Sequence, residues 1–286
     1  MSPAIFRLLF LAGLALTLLL VSAECATPLS SFQPAHVPRP QHFQAESGVD
    51  VSYSPGGLHQ IQDASRQADK SSQQNNITDA EKSTIARGGA QLGLNPPAII
   101  EHVGLAYSPI ESWEVSARFC ATAWRLGVRR QLARQEENGI DFTVGIGVGR
   151  AAFDPPVDGV FSTIHVDNFS RWNFDIPITL GQHGEGYRWW AGPRVVYSSM
   201  SQDMTLSLTG NEVVRGTISG HGLYLGASLG VALGFRTVFV GPELTLAWLL
   251  GSAVVRASDT NNVNIVETVT TDVLIIYPGI AVMGEF

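Results

Sequence analysis

Two groups of polar residues in the second half of the sequence could do hydrolytic chemistry. Ser201, Asp203 and His221 supply a hydroxyl, a carboxylate and an imidazole, which are the groups of a nucleophilic hydrolase. His165 and Asp167 could activate a water molecule by general base catalysis. Neither group lies in a nucleophile or metal-binding motif, and any set of polar loops supplies such residues. The sequence favours a structural role for them and leaves a hydrolase of lipid or peptide as an alternative.

The remaining chemical signals predict no cofactor and no metal. Gly145–Gly149 contains three glycines, but it lies inside a strand pattern with no helix after it, so it lacks the context of a phosphate-binding loop. Cys25 and Cys120 are the two cysteines of the chain, which allows at most one disulfide and suggests no metal site. A net charge of −7 gives no basic surface for nucleic acid, so we expect no such partner.

The start of the chain predicts export across a membrane. Residues 1–23 have a basic residue, a short apolar run and small residues at the end, which is the pattern of a secretory signal peptide. An alternative is lipidation at Cys25, although Glu24 stands where a small residue normally precedes the modified cysteine. Residues 24–41 are rich in Pro, Ser and Thr, and we interpret them as a periplasmic linker without a fold of its own. Residues 42–286 form the predicted β-barrel domain.

Apolar and polar residues alternate from His42 to the end of the chain, as in strands with two different faces. In the segments Leu223–Leu233 and Val238–Leu250 the apolar set contains no charged residue. The last strand, Thr271–Phe286, ends on an aromatic residue and leaves an edge without a tail to cover it. Closure into a barrel removes that edge, and an apolar outward face suits a membrane. The pattern predicts an all-β, antiparallel, up-and-down transmembrane barrel.

The connections between predicted strands alternate between short and long. Bacterial outer-membrane barrels have short periplasmic turns and longer external loops, so the long connections are placed outside the cell. The short connections are Ser108–Ser112, Ala133–Gly139, Gly181–Gly186 and the turn at Arg236, and the long ones are Ser54–Ile85, Arg150–Phe169, Ser199–Ser219 and Ser252–Thr270.

The strand count depends on one segment that contains prolines. Arg87–Leu94 and Ile99–Tyr107 both have strand patterns, and Pro96 and Pro97 separate them. Proline is expected at bulges, edges or strand ends. If the two pieces form one bent strand, the barrel has ten strands, which is our prediction. A strand hidden in Ser54–Ile85 would give twelve.

The polar face of the strands becomes the predicted barrel interior. Unpaired buried charges are costly, so we expect the acidic and basic side chains there to pair across the lumen. Wide channels need about sixteen strands, which favours a structural charge network over an arginine-lined pore that prefers anions. The predicted lumen residues are Glu46, Asp50, Arg118, Arg125, Arg129, Asp141, Asp175, Arg188, Arg194 and Glu243.

Aromatic residues cluster near the predicted ends of the strands, as in the two girdles of membrane barrels. Trp113, Tyr187 and Phe235 fall near periplasmic ends, whereas Trp172 and Trp248 fall near external ends. Charged residues make up 15% of the chain, below the roughly 25% typical of soluble domains. A soluble periplasmic ligand-binding barrel with an inward apolar face remains the second alternative.

The chain resembles a group of uncharacterised small outer-membrane β-barrel proteins of Gram-negative bacteria. The matching features are the signal segment, the sequence Cys-Ala-Thr-Pro-Leu-Ser-Ser-Phe-Gln from Cys25, the hairpin Val103–Phe119 and Gly192-Pro193-Arg194. The resemblance implies location in the bacterial outer membrane, contact with its lipid, and recognition of a C-terminal signal at Phe286 by the barrel-assembly machinery. The resemblance implies no activity, and the residues of the long loops indicate no particular external ligand. We therefore predict a non-enzymatic barrel of structural or narrow-pore character.

Overall fold

A computed structural model describes residues 29–74, 78–120, 122–153, 164–207, 213–258 and 264–286. The predicted signal peptide and Cys25 lie outside these residues. Ten antiparallel strands close into a barrel in which each strand pairs with its neighbours in the chain and β1 pairs with β10. The predicted fold class and the count of ten are confirmed. The strands are β1 Phe43–Ser52, β2 Ala98–Ile110, β3 Trp113–Cys120, β4 Ala123–Ala133, β5 Asp141–Phe153, β6 Ile164–His183, β7 Tyr187–Ser207, β8 Val213–Phe235, β9 Val238–Ser258 and β10 Asn264–Glu285.

The barrel closes where the two ends of the domain meet. The backbones of Phe43 and Phe286 exchange two hydrogen bonds of 2.8 Å, and the register continues with Gln44 opposite Glu285. The last residue therefore belongs to the seam between β1 and β10. The seam closes the barrel, whereas among the described residues β10 before Ile276 pairs with β9 alone and β6 before Phe169 pairs with β7 alone.

Helices occupy the β1–β2 connection, where the sequence suggested a loop and part of a strand. Helix α1 spans Pro55–Gln74, α2 spans Asp79–Leu94, and a single turn, α3, spans Gln135–Asn138 in the β4–β5 connection. The prediction that Arg87–Leu94 begins a bent strand is therefore wrong, and β2 begins only after the two prolines. Among the described residues, no helix combines the length and the apolarity needed to cross a membrane.

The sequence of α2 explains why it is helical. Thr78 and Glu81 form a capping box, in which each side chain bonds the backbone N–H of the other residue. Gly88 allows close contact with α1, since a Cβ atom there would lie 2.2 Å from the Cβ of Ala64. These two local features fix the start of α2 and its packing on α1.

The barrel has two different ends and two different strand lengths. We call the end with the β2–β3, β4–β5, β6–β7 and β8–β9 connections the turn end, and the opposite end the loop end. Strands β1–β5 have 8 to 13 residues, whereas β6–β10 have 20 to 23. The long strands extend past the loop end of the short ones, into segments that the sequence suggested were loops.

The outer surface carries an apolar band of the height that a membrane requires. On β7 the band runs from Tyr187 to Tyr197, ten positions apart, and a membrane-spanning strand needs about 9–11 residues. Beyond Tyr197 the outward residues of β7 become polar, beginning with Ser199 and Ser201. Asp272 lies on the outer face of β10 and accepts a hydrogen bond from the Trp248 indole. The band therefore ends near Tyr197 and Trp248.

The apolar face of the strands points outward, which contradicts the alternative of a soluble barrel with an apolar interior. Large apolar side chains such as Leu229, Leu233, Val240 and Ile280 are exposed on the outside. A soluble monomer rarely exposes a continuous apolar surface of this kind.

The inner face of the extended strands forms an apolar surface that the α1–α2 hairpin covers. Ile61, Ile85 and Leu94 of the helices share one buried cluster with Met200 and Leu249 of the strands. Helix α2 contacts β7, β8, β9 and β10. The loop end is therefore a curved sheet packed on a helical hairpin, and it stands above the apolar band.

Candidate functional site in the barrel lumen

All ten predicted lumen residues face the interior. Each residue is buried, with at most 8% of its surface exposed. Strand alternation places them there because their neighbours in sequence form the apolar outer face. Eight of them form separate ion-pair groups, arranged from the middle of the barrel to the turn end. Asp141 lies 2.7 Å from the His183 ring, and Glu243 binds neutral donors.

Two groups lie near the middle of the barrel. Arg125 and Arg194 both bond the carboxylate of Asp175, at 2.8 and 2.9 Å. Arg118 lies 3.2 Å from Asp50 and 3.3 Å from Glu46. Charge-assisted pairs of this kind compensate the cost of burying each ion.

Two further groups lie closer to the turn end. Arg129 makes a two-bond pair with Glu114, at 2.7 and 2.8 Å. Arg188 bonds Glu285, which adds a carboxylate that the predicted set did not include. Each of these arginines therefore has a carboxylate partner on the barrel wall itself.

An extended segment of the chain fills the lumen between these groups. We call residues 29–37 the N-terminal plug. The carbonyl of Leu29 accepts a hydrogen bond from Arg194, the eighth residue of β7, whereas the N–H of Val37 donates to Gln131 near the turn end, at 3.0 Å. The plug has no regular secondary structure but runs down the interior towards β1. Within the described part of residues 24–41, the expected linker is thus docked inside the barrel.

Glu243 holds the plug through its backbone. Its two carboxylate oxygens accept the N–H groups of Ser31 and Phe32, at 2.7 and 2.8 Å. The indole of Trp190 donates to the same carboxylate at 2.7 Å, and Thr245 adds a longer contact. Glu243 differs from the other lumen carboxylates because its described partners are neutral donors, two of which belong to the plug.

Arg118 and Asp50 bind the plug at Ser30, the residue before Ser31. The hydroxyl of Ser30 donates to Asp50 at 2.5 Å, and Arg118 donates to the carbonyl of Ser30 at 2.5 Å. The side chain of Phe32 is buried to 1% exposure, with its ring stacked 5.3 Å from that of His102 and under the guanidinium of Arg118. The Phe32 backbone has a φ of 44°, an unfavourable value for a bulky residue that the surrounding bonds must compensate.

The turn end of the plug is held by carbonyl and histidine contacts. Arg129 donates to the carbonyls of Pro34 and His36. The His36 ring lies 3.2 Å from Glu285 and 4.7 Å from the ring of His183. Burial lowers the pKa of His36 to about 4, against 6.5 in water, because the site disfavours the charged imidazolium. His36 is therefore neutral in the docked plug at neutral pH.

Side chains of β6, β8 and β10 anchor the C-terminus of α2. Tyr224 donates to the carbonyl of Leu94 at 2.5 Å, and Arg171 approaches the same carbonyl at 3.3 Å and that of Gly93 at 3.4 Å. Thr271 donates to the amide oxygen of Gln91 at 2.7 Å. Tyr224 and Arg171 satisfy backbone carbonyls at the end of the helix, and the arginine complements its dipole.

Two cavities of very different size adjoin the plug in the described part of the chain. A cavity beside Phe32, Glu46 and Arg118 has about 20 Å³, room for about one water molecule. A larger cavity of about 770 Å³ opens at the turn end, around His36, Arg188 and Phe286. A third, of about 630 Å³, lies among the extended strands at the loop end. The turn-end cavity therefore leads to the plug.

Ser201, Asp203 and His221 lie on the outer face of the neighbouring strands β7 and β8, and among the described residues no hydrogen bond joins the three. The His221 ring stacks on Tyr197, 6.4 Å away, on the outer surface. Asp203 accepts hydrogen bonds from Asn168 at 2.8 Å and Thr217 at 3.2 Å. The side chain of His165 lies outside the described residues. Over the described ranges, no group of three His, Cys, Asp or Glu side chains could hold a metal ion.

The sequence reading missed the plug and its closest contacts. Trp190 follows the outward-facing Trp189 in sequence and is fully buried against Glu243. Phe32 lies in a segment rich in Pro and Ser that has no alternation.

Comparison with known proteins gives similarities of fold only. No family model and no curated protein matches the chain. A major outer membrane protein from Thermus thermophilus aligns with 85% of this chain and 99% of its own, at 9% identity and a TM-score of 0.40. Neisserial surface protein A aligns with 86% of this chain and 96% of its own, at 10% identity and a TM-score of 0.32. The CymD monoaromatic hydrocarbon channel aligns with 92% of this chain and 94% of its own, at 7% identity and a TM-score of 0.27.

Proposed function

We propose that this chain is a non-enzymatic bacterial outer-membrane barrel that is closed by its own N-terminal plug and carries a sheet-and-hairpin module outside the cell. The apolar band between Tyr187 and Tyr197 supports the membrane placement, because it matches the length of a spanning strand. The turn end then faces the periplasm and the extended strands face the exterior, as in other outer-membrane barrels.

One observation carries the proposal of a closed barrel. The carboxylate of Glu243 lies in the lumen and accepts the backbone N–H groups of Ser31 and Phe32. The plug therefore occupies the path that ions would take through the barrel. A barrel of ten strands has an interior that side chains and one extended segment can fill. The arginines that could have lined an anion pore bond carboxylates and plug carbonyls instead.

Conductance in a planar lipid bilayer tests the closed state. The purified full-length protein should first show heat-modifiable gel mobility, which establishes that the barrel is folded. We then expect no stable conductance steps at moderate voltage. Steady ohmic steps from folded protein would contradict the closed barrel, and release from membranes by high salt would contradict the membrane placement.

A hydrolytic function is not supported by the external face. The stacking of His221 on Tyr197 and the bonding of Asp203 to Asn168 and Thr217 give neither residue a described Ser–His or Asp–His contact. If purified protein hydrolyses a lipid or peptide ester, alanine at His221 and at His165 should leave the rate unchanged. A loss of more than about tenfold at either position would favour a barrel-embedded enzyme.

The position of the plug favours signal cleavage after Ala23 over lipidation. Leu29 is buried in the interior and stands four positions after Cys25, a reach of at most about 14 Å. The plug itself takes eight residues to descend from Leu29 to Val37 at the turn end. Acyl chains on Cys25 could therefore not reach the membrane while the plug is docked.

Assembly should depend on the seam that holds Phe286. Its backbone bonds to Phe43 close the sheet, and its exposed ring stands at the periplasmic edge of the apolar band, in contact with lipid in this proposal. We propose that the barrel-assembly machinery recognises this last strand. Removal of Phe286 should reduce the folded, heat-modifiable fraction in cells.

A further inference from the structure

The barrel wall binds the plug mainly through groups that every peptide has. The carbonyls of Leu29, Ser30, Pro34 and His36 accept hydrogen bonds from Arg194, Arg118 and Arg129. The N–H groups of Ser31, Phe32 and Val37 donate to Glu243 and Gln131. Seven backbone groups in nine residues are therefore recognised by side chains of the strands. Main-chain bonds supply affinity in peptide recognition, and pockets for individual side chains supply specificity.

Three side-chain contacts give this wall a sequence preference. The hydroxyl of Ser30 bonds Asp50, the Phe32 ring fills the space between His102 and Arg118, and the His36 ring meets Glu285. The plug segment carries no Asp, Glu, Lys or Arg, which suits an interior whose charges are already paired. The wall therefore selects an uncharged, extended peptide in which a residue with a hydroxyl group stands two positions before an aromatic residue.

The wall does not need the plug to keep its shape. Arg118, Arg129 and Arg194 each have a carboxylate partner on the strands, in Asp50, Glu114 and Asp175. If the plug left, these pairs would remain. Glu243 would lose its two backbone donors and keep Trp190 and Thr245. A preformed site loses less entropy on binding than one that must be ordered.

The route to this site is open at the turn end. Arg39, Pro40, Gln41 and His42 connect the plug to β1 and are exposed. The cavity of about 770 Å³ adjoins them and reaches His36. The plug could therefore be replaced from the periplasmic side without unpairing any strand.

We propose that the lumen wall formed by Asp50, Arg118, Arg129, Arg194 and Glu243 is a peptide-binding site for an uncharged, extended segment of the Ser-x-Phe type. Its own N-terminal plug occupies the site in the structure, and a peptide from the periplasmic side can take its place. This inference rests on the proposed closed barrel, because only a docked plug shows which peptide chemistry the wall accepts.

Binding of a labelled peptide to full-length protein tests the inference. The probe is a fluorescein-labelled synthetic peptide of residues 29–37, added to folded protein in detergent micelles. In the native chain the tethered plug has an effective concentration on the order of millimolar, so the free peptide should bind weakly. In Phe32→Ala the tethered plug is weakened and the wall is unchanged, so the peptide should bind saturably and about tenfold more tightly than to the native chain.

Two controls separate specific binding from adsorption. A peptide with Phe32→Ala should not bind the same variant protein, and adding Glu243→Gln to the variant should weaken binding of the native peptide about tenfold. Ser31→Pro, which removes one N–H donor to Glu243, is a second way to release the plug with the wall intact. Heat-modifiable mobility must be retained in every variant that is scored.

The outcomes are distinct for this inference and for the closed barrel. Absence of saturable binding to folded Phe32→Ala and Ser31→Pro proteins, or equal binding of the Phe32→Ala peptide, would overturn the peptide site. Such a result would leave the closed state of the native chain standing. Stable conductance by the native chain would instead overturn the closed barrel, whether or not the peptide binds to the variants.

Discussion

The carboxylate of Glu243 accepts the backbone N–H of Phe32 at 2.8 Å, across 211 positions of the chain. This bond joins the segment before the first strand to the ninth strand, in a region where neither group can reach bulk water. An N–H bond to a buried carboxylate is stronger than one between neutral groups. It connects the two parts of the molecule that decide whether the lumen is open.

Replacing Glu243 with glutamine should loosen the plug. The amide keeps the shape but removes the charge and one of the two acceptors, a loss of about 1–2 kcal/mol in docking. The amides of Ser31 and Phe32 should then exchange with deuterium about tenfold faster or more. Glu267→Gln, at the loop end of the next strand, is the control and should leave that exchange unchanged. Equal exchange in both variants would mean that Glu243 does not hold the plug.

Acid should release the plug through His36. Its pKa is about 4 when docked and 6.5 when exposed, so the undocked state takes up a proton that the docked state excludes. Docking is at full strength above about pH 7 and weakens as the pH falls from 6.5 towards 4, by on the order of 3 kcal/mol. Arg188 and His183 face the ring and oppose its protonation, whereas Glu285 favours it.

His36→Gln provides the control for this pH dependence. Glutamine keeps a donor for Glu285 and does not titrate, so the difference between the native chain and the variant isolates the histidine. Deuterium exchange of the plug amides at pH 7 and pH 5 is the measurement. We expect faster exchange at pH 5, after correction for the intrinsic rate, in the native chain alone. The same ratio in both proteins would assign the effect to other groups.

Adding a methyl group at Gly88 should disrupt the helical hairpin. Its Cβ would lie 2.2 Å from Ala64 and 2.9 Å from the carbonyl of Gln60, and helix backbones cannot move apart without losing contacts elsewhere. We expect Gly88→Ala to destabilise the hairpin by about 1–3 kcal/mol. Gly56→Ala is the matched control in α1, because its Cβ would meet Val273 at an ordinary 3.4 Å. Protease sensitivity of the hairpin in the folded barrel distinguishes the two.

Cys25 should not carry a fatty acid. The reach of four residues from buried Leu29 is too short for an acyl anchor outside the barrel. Cells grown with a labelled fatty acid should give an unlabelled protein, and Cys25→Ser should fractionate with membranes as the native chain does. Label that disappears in Cys25→Ser would show that lipidation occurs and that the plug is undocked in that form.

The architecture was predictable because the apolar band repeats the same alternation in every strand. Treating Arg87–Leu94 and Ile99–Tyr107 as a single strand gave the correct number of strands, and the connection lengths placed the short turns at one end. Strands could not be predicted above the band, because the outer face becomes polar there and the alternation of apolar and polar residues ends. Segments such as Ser199–Ser207 were therefore interpreted as loop, although they continue β7.

The helices and the plug were missed for different physical reasons. Arg87–Leu94 has apolar residues that fit a short strand, and only the capping box at Thr78 indicates the helix that contains it. The plug has no periodicity, because its structure is set by contacts with distant strands. The lumen charges were found from alternation alone, but their partners required the folded barrel.

Deuterium exchange of residues 29–37 in the folded, full-length protein tests the central claim most directly. If the plug fills the lumen, the amides of Ser31, Phe32 and Val37 should exchange on the order of 100-fold more slowly than in an unstructured peptide. Exchange at the unstructured rate, with the barrel strands still protected, would show that the segment is a free linker and would contradict the account.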